Sequence, residues 1–88
     1  MKGSLDDTLK TQLKNMIVEE SDKDIDPQSI EDEAPLFGEE SLIQLDSLDA
    51  IQLSMAIQKK YGIKITDSKE ARRAFATVNN LADLVQPQ

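Results

Sequence analysis

The sequence predicts an all-α fold, a small four-helix bundle with a long loop between helices one and two and a short third helix. Apolar residues recur at three- and four-residue intervals in separate segments, as on the buried face of a helix. The 88 residues suffice for one domain, residues 1–88, with a modest core. Because aromatic residues make up only 3% of the chain, that core consists mainly of Leu, Ile, Val and Met.

Helix one is predicted over residues 5–19. Ser4 is the expected N-cap, and Asp6 and Asp7 fall in the first turn, where the helix dipole favours negative charge. The apolar stripe of this helix consists of Leu5, Leu9, Leu13, Met16 and Ile17.

Residues 21–46 are predicted to form a long loop, because they contain Pro27, Pro35, Gly38 and an acidic run. Loops of this length are uncommon in compact domains and are often functional. The residues expected to pin the loop to the bundle are Ile25, Ile30, Leu36, Phe37, Leu42 and Ile43.

The start of this loop matches a calcium-binding EF-hand loop only in part. Asp22, Asp24 and Asp26 alternate, and Glu33 stands at the twelfth position. The sixth position must turn sharply and is normally Gly, but here it is Pro27, whose ring fixes a negative φ. We therefore expect a solvated acidic loop and predict no metal site.

The second half of the chain holds the other three helices. Helix two is expected to start at Asp46 or Ser47 and to end near Tyr61-Gly62, where the glycine supplies a C-terminal stop. A short helix is predicted over residues 67–74 and a last one over residues 78–86, with Thr77 as its N-cap. The residues of the last helix expected to face inward are Val78, Leu81, Leu84 and Val85. An up-and-down bundle with one long crossover accommodates this order.

The composition excludes several classes of function. Cys and His are absent, which removes disulfides, thiolate nucleophiles, imidazole bases and the usual zinc ligands. The net charge is −7: residues 1–50 carry 14 acidic and 4 basic side chains, and residues 51–88 carry 3 and 6. Such a chain is a poor nucleic-acid binder and suits docking on basic protein surfaces, although charge alone is explained equally by solubility. No apolar run reaches the length of a membrane span, so we expect no membrane insertion and a cytoplasmic location.

Helix two has two apolar stripes, although a helix in a small bundle needs only one. At about 100° per residue, a core stripe forms on one side and a second group, the apolar strip, on a roughly opposite side. The core stripe is Leu53, Ile57 and Tyr61, and the apolar strip is Leu48, Ile51 and Met55. The apolar strip must contact the long loop or stay exposed for a partner. Ser47 adjoins it, so a modifiable hydroxyl beside a docking strip is predicted, although a serine at a helix start can also be a simple cap.

Asp46-Ser47-Leu48-Asp49 resembles the attachment motif of acyl carrier proteins, in which the serine bears phosphopantetheine. The resemblance continues through residues 51–65, which are similar to the family's second helix and following turn, and through residues 77–85, which are similar to its last helix. Leu36-Phe37 and helix one also fit, so the similarity covers nearly the whole chain in order.

This resemblance implies a non-catalytic monomer that carries acyl groups as thioesters on a 4'-phosphopantetheine arm at Ser47. A phosphopantetheinyl transferase would install the arm from coenzyme A, and acyl-transfer, ketosynthase or acyl-activating enzymes would use it in fatty-acid, polyketide or related lipid synthesis. The resemblance also implies docking roles for Asp46, Leu48, Asp49, Ile51 and Met55.

Several positions depart from the pattern of primary fatty-acid synthesis. Helix two carries Gln52, Gln58, Lys59 and Lys60 where such members usually have glutamates, and Leu45 precedes the motif where many have Gly. Residues 61–63 with 72–75 are more similar to discrete carriers of specialised lipid, polyketide or aryl-polyene clusters. Two alternatives remain open: a carrier of aminoacyl or peptidyl groups, and an unmodified acidic helical adaptor in which Ser47 only caps the helix.

Overall fold

The computed structural model describes residues 1–65 and 67–88 and confirms the all-α prediction. The four α-helices of the described chain are α1 (Asp7–Ser21), α2 (Ser47–Tyr61), α3 (Ser68–Ala74) and α4 (Val78–Val85). Short 3₁₀ turns lie at Gly3–Leu5 and at Pro27–Ser29. The predicted long loop therefore connects α1 to α2.

The core lies where α1 packs against α2 and α4, with α3 closing the bundle against α2 and α4. Its largest fully buried side chains are Phe75, Leu13, Ile17, Leu36, Ile57, Leu81 and Val78. Phe75 follows α3 directly, so the single large aromatic ring of the core comes from the connection between α3 and α4. The rest of this set is aliphatic, as the composition predicted.

The start of helix one was predicted wrongly. Asp6, not Ser4, is the N-cap of α1, and its carboxylate accepts the Leu9 N–H at 3.2 Å. Leu5 lies in the preceding 3₁₀ turn with its side chain exposed. The cause is long-range: the Gly3 N–H donates to the Gln86 carbonyl at 2.7 Å, and the turn is thereby held against the end of α4.

The long loop is pinned largely as predicted, with one error. Ile30, Leu36 and Ile43 are buried, and Ile25 and Phe37 pack partly buried against them, whereas Leu42 is exposed. The buried Ser41 hydroxyl accepts the N–H groups of Ile43 at 3.2 Å and Gln44 at 3.0 Å. This turn points alternate side chains inward, so that Ser41, Ile43 and Leu45 are buried and Leu42 faces outward.

A charged cluster also anchors the loop. Asp32 forms salt bridges of 2.8 Å with both Lys10 and Lys14 of α1, and its carbonyl accepts the Asn79 N–H of α4 at 3.0 Å. The pKa of Asp32 is lowered, first by the hydrogen bond from Lys10 and second by that from Lys14. The hydrogen bond to Asp32 in turn raises the pKa of Lys10. The cluster thus ties the middle of the loop to two helices.

The end of the loop positions the start of α2. The Leu36 N–H donates to the Ala76 carbonyl at 3.0 Å, and the Leu45 N–H donates to the Leu36 carbonyl at 2.9 Å. Phe37 and Leu45 form an isolated parallel bridge. Leu45 is buried, so the chain is fixed two residues before Ser47.

The end of α2 and the start of α4 agree with the sequence, whereas α1 ends at Ser21, two residues later than predicted. Gly62 caps α2 in the left-handed region, with a φ of 73° that favours glycine. The Thr77 hydroxyl caps α4 by accepting the Asn80 N–H at 3.1 Å. In α4, Val78 and Leu81 are buried, and Leu84 and Val85 pack partly buried against the core.

Candidate functional site

The first turn of α2 is closed by two aspartates. The Asp46 carboxylate accepts the Asp49 N–H at 2.9 Å, and the Asp49 carboxylate accepts the Asp46 N–H at 3.1 Å. This reciprocal capping box satisfies two backbone donors at the helix start. Asp46 is therefore the N-cap, and Ser47 is the first helical residue.

Ser47 is exposed, and its hydroxyl makes no hydrogen bond to any part of residues 1–65 and 67–88. Some other hydroxyls are engaged: Ser41 accepts two backbone N–H groups, and Ser54 donates to the Ala50 carbonyl at 2.7 Å. Since Asp46 performs the capping, Ser47 has no local structural task. Its oxygen is accessible and chemically uncommitted.

The Asp46 carboxylate beside Ser47 is a weak base. The backbone hydrogen bond from Asp49 is the main reason that the pKa of Asp46 lies below its ordinary value. A carboxyl with a lowered pKa stays ionised at neutral pH and accepts a proton poorly. Asp46 is thus suited to providing negative charge next to Ser47 and unsuited to removing its proton.

The structure separates the two stripes of α2. Leu53 and Ile57 are buried and Tyr61 is partly buried. In the apolar strip, Leu48 is 62% exposed, Ile51 47% and Met55 65%. The strip therefore does not pack under the loop, and it runs along the outer side of α2 from a point next to Ser47.

Leu42 is an exposed apolar residue that the sequence prediction assigned to the core. It lies on the loop five residues before Ser47. Its outward direction is set by the turn that the Ser41 hydroxyl stabilises, and the run of apolar residues Leu42 and Ile43 gave no signal of it in the sequence.

The described residues hold no group of three or more acidic side chains placed to bind a metal ion. Asp22 has a φ of 54° and ends α1 as its C-cap, while Asp26 caps the loop's 3₁₀ turn that begins at Pro27. Asp22 and Asp26, two of the three alternating aspartates, thus have local backbone roles. Within the described chain, none of the helices combines the length and apolarity required to span a bilayer.

Fold and site together define a small helical domain. It presents the exposed, unbonded hydroxyl of Ser47 at the start of α2, beside an exposed apolar strip. A family model described as "Phosphopantetheine attachment site" matches residues 11–85. That match covers most of the chain, and the chain belongs to this family of phosphopantetheine carrier proteins. Comparison with curated proteins and with solved structures gave no match.

Proteins of this family covalently carry a 4'-phosphopantetheine prosthetic group. The start of α2 fits such a group, because covalent attachment needs an accessible hydroxyl that is not already bonded to the protein, and the Ser47 hydroxyl meets both conditions. The capping box already uses the N–H groups of Asp46 and Asp49. A phosphate on Ser47 would therefore leave these two donors with the carboxylates that already accept them.

Proposed function

We propose that Ser47 is the attachment residue for 4'-phosphopantetheine and that the protein is an acyl carrier. The observation that carries this proposal is the exposed, unbonded hydroxyl of Ser47 within Asp46-Ser47-Leu48-Asp49, at a helix start that Asp46 already caps. When attached, the group supplies a terminal thiol that holds acyl intermediates as thioesters. This thiol provides the nucleophile that a chain without Cys lacks.

Attachment requires the Ser47 oxygen to form a phosphodiester with the phosphopantetheine part of coenzyme A. Its proton must leave, and the adenosine bisphosphate part of coenzyme A departs. The nearby Asp46 is a poor proton acceptor because its pKa is lowered. We therefore assign the base to a phosphopantetheinyl transferase, while this chain supplies the positioned hydroxyl and a surface for docking.

The proposed docking surface consists of Asp46, Leu48, Asp49, Ile51 and Met55. Its apolar strip is exposed over two turns of α2 and has no packing role in the bundle. The strip supports docking because an exposed row of large apolar side chains next to a reactive group suits a protein interface. We further propose a cytoplasmic, monomeric, non-catalytic carrier that delivers acyl groups to enzymes of a specialised fatty-acid, polyketide or related lipid pathway.

The test is incubation of the purified protein with a broadly specific phosphopantetheinyl transferase and coenzyme A, followed by intact-mass measurement. The wild type is expected to gain the mass of one phosphopantetheine, and Ser47→Ala is expected to gain none. Ser29→Ala is the matched control, because Ser29 is also exposed and should not affect modification. Ser47→Ala should change the free energy of unfolding by less than about 0.5 kcal/mol, since it is a surface substitution outside the cap.

An unmodified wild type across several transferases would contradict the proposal and favour an acidic adaptor. A Ser47→Ala protein that still gains the mass would place the attachment residue elsewhere.

The kind of cargo is a separate question: mass analysis of the holo-protein from its native cells distinguishes acyl from aminoacyl or peptidyl thioesters.

A further inference from the structure

The long loop encloses a pocket of its own, away from the docking surface proposed on α2. This loop pocket has a volume of about 310 Å³ and is lined entirely by loop residues, in the segments 29–31, 34–36 and 40–43. Pockets that bind small ligands have volumes from roughly 300 Å³ upward. The loop pocket is therefore of a size that accepts one large side chain of a partner protein.

Much of the wall of the loop pocket is apolar. Ile30, Leu36 and Ile43 line it, and the same three residues belong to the buried core. Leu42 also lines it, although this residue is 61% exposed. The outward direction of Leu42 thus leaves a large apolar side chain in solvent at the edge of a pocket. A side chain that entered the pocket would cover Leu42 and remove apolar surface from water.

The loop pocket is held in shape by contacts on each side of it. On one side, the Leu36 N–H donates to the Ala76 carbonyl at 3.0 Å. On the other, the Ser41 hydroxyl accepts the Ile43 N–H at 3.2 Å. Asp32, which lies between two of the lining segments, is fixed by its salt bridges to α1. The pocket is therefore preformed, and binding there requires little further ordering of the chain.

Two carboxylates give the loop pocket a negative mouth. Glu31 and Glu40 line the pocket, and both residues are exposed. In the part of the chain that the structure describes, neither side chain has a hydrogen bond or an ion pair. No basic residue lines the pocket, and the sequence has no Lys or Arg between Lys23 and Lys59. The ligand that complements this pocket is therefore apolar along its length and positive at its end.

We propose that the loop pocket receives an arginine side chain of a protein that docks on this carrier. The aliphatic stem of the arginine would lie against Leu42 and the apolar wall, and its guanidinium group would meet Glu31 and Glu40 at the mouth. Arginine suits this pocket better than lysine, because a guanidinium is more weakly hydrated than an ammonium and donates hydrogen bonds to carboxylates in a fixed plane. An acidic side chain would be repelled at the mouth, and a purely apolar one would leave the charge unmatched.

This contact would give the partner a second point of attachment, outside α2. Leu42 precedes Ser47 by five residues, which span at most about 18 Å of chain, and the buried Leu45 fixes the segment between them. An interface of ordinary size buries roughly 800 Å² on each partner, so one enzyme can cover both places. That the partner is an enzyme working on the arm at Ser47 rests on the proposed function. The preference of the pocket for arginine does not.

The experiment is a titration of the unmodified, ¹⁵N-labelled protein with N-acetylarginine amide, followed by nuclear magnetic resonance. The backbone signals of the three lining segments should shift and saturate, with a dissociation constant in the millimolar range expected for a ligand of about 15 non-hydrogen atoms. N-acetylleucine amide and N-acetyllysine amide should each bind several-fold more weakly. Ser47→Ala should bind the arginine probe as the wild type does.

Matched variants test the two parts of the pocket. Glu31→Gln/Glu40→Gln should weaken binding of the arginine probe by roughly 10-fold, because it removes both charge-assisted contacts. Glu19→Gln/Glu20→Gln makes the same change in net charge at exposed positions of α1 and should change the affinity by less than about 2-fold. Leu42→Ser should weaken binding several-fold and leave the unfolding midpoint unchanged, since Leu42 is exposed.

Three results would overturn the proposal. Shifts that spread over the acidic surface without saturating would show general attraction of a cation and no site. Equal loss of affinity in the two glutamate pairs would show that net charge alone is responsible. Equal binding of the leucine or lysine probe would remove the preference for arginine. Because the titration uses the unmodified chain, it does not depend on Ser47: a protein that binds arginine but is never modified contradicts the proposed function alone, and the reverse outcome contradicts the loop pocket alone.

Discussion

Replacement of Asp32 by Asn should weaken the attachment of the long loop to α1. The substitution removes the charge shared by Lys10 and Lys14, whose side chains are 11% and 18% exposed, whereas that of Asp32 is 36% exposed. Exposed ion pairs contribute about 0.2–1 kcal/mol to the free energy of unfolding. Removing one partner of a buried ion pair costs about 3–5 kcal/mol. Because solvent screens the Asp32 carboxylate, we expect a loss of about 1–2 kcal/mol in the free energy of unfolding.

The assay is urea unfolding followed by circular dichroism over a pH series. At pH 7 the midpoint for Asp32→Asn should fall by roughly 1 M, given the denaturant dependence of small domains. The pKa of Asp32 is lowered in the folded state. Its contribution is therefore fully present above the unfolded-state pKa of about 3.9 and is lost as the pH falls through the folded-state pKa. The gap between wild type and variant should close in acid.

Asp24→Asn is the matched control, since Asp24 lies exposed in the same loop and its replacement changes the net charge equally. It should leave the midpoint nearly unchanged. A loss in Asp32→Asn that is the same at all pH values would refute the electrostatic explanation and would indicate altered packing. Equal effects of the two substitutions would show that net charge alone is responsible.

Three further substitutions test other parts of the structure. Gly3→Ala should destabilise the protein by about 1–3 kcal/mol in urea unfolding, because a Cβ there would overlap the Ala82 carbonyl oxygen; wild-type stability would refute the close approach. Phe75→Ala should cost about 3–5 kcal/mol in the same assay, since the ring is fully buried; a loss below 1 kcal/mol would mean that the ring is not in the core. Leu48→Asp should leave the unfolding midpoint unchanged but slow modification by the transferase several-fold, because Leu48 is exposed beside Ser47; an unchanged rate would remove Leu48 from the docking surface.

Local signals in the sequence predicted the parts of the fold that local contacts determine. The start of α2, its end at Gly62 and the Thr77 cap of α4 each depend on hydrogen bonds between residues a few positions apart. Such bonds require particular residue types at fixed spacing, so a single sequence reveals them. The position of Ser47 at a helix start was predictable for this reason.

Long-range contacts decided the parts that the sequence did not predict. Ser4 is a plausible cap by type, but its N–H is bonded to Asp83, 79 residues away, at 3.0 Å. Asp32 gave no signal in the sequence that it would meet Lys10 and Lys14 of α1. Such partners come together only when the bundle is assembled. The outward direction of Leu42 depends likewise on the turn that the buried Ser41 stabilises.

Peptide mapping of the modified protein tests most directly whether the Ser47 oxygen is the attachment atom. Trypsin cleavage after Lys23 and Lys59 gives a peptide that contains Ser29, Ser41, Ser47 and Ser54. Ser41 is buried and the Ser54 hydroxyl is bonded to the backbone, so fragment ions must distinguish the exposed Ser47 from the exposed Ser29. We expect phosphopantetheine on Ser47 alone; phosphopantetheine on any other residue would contradict the assignment of Ser47 as the attachment residue.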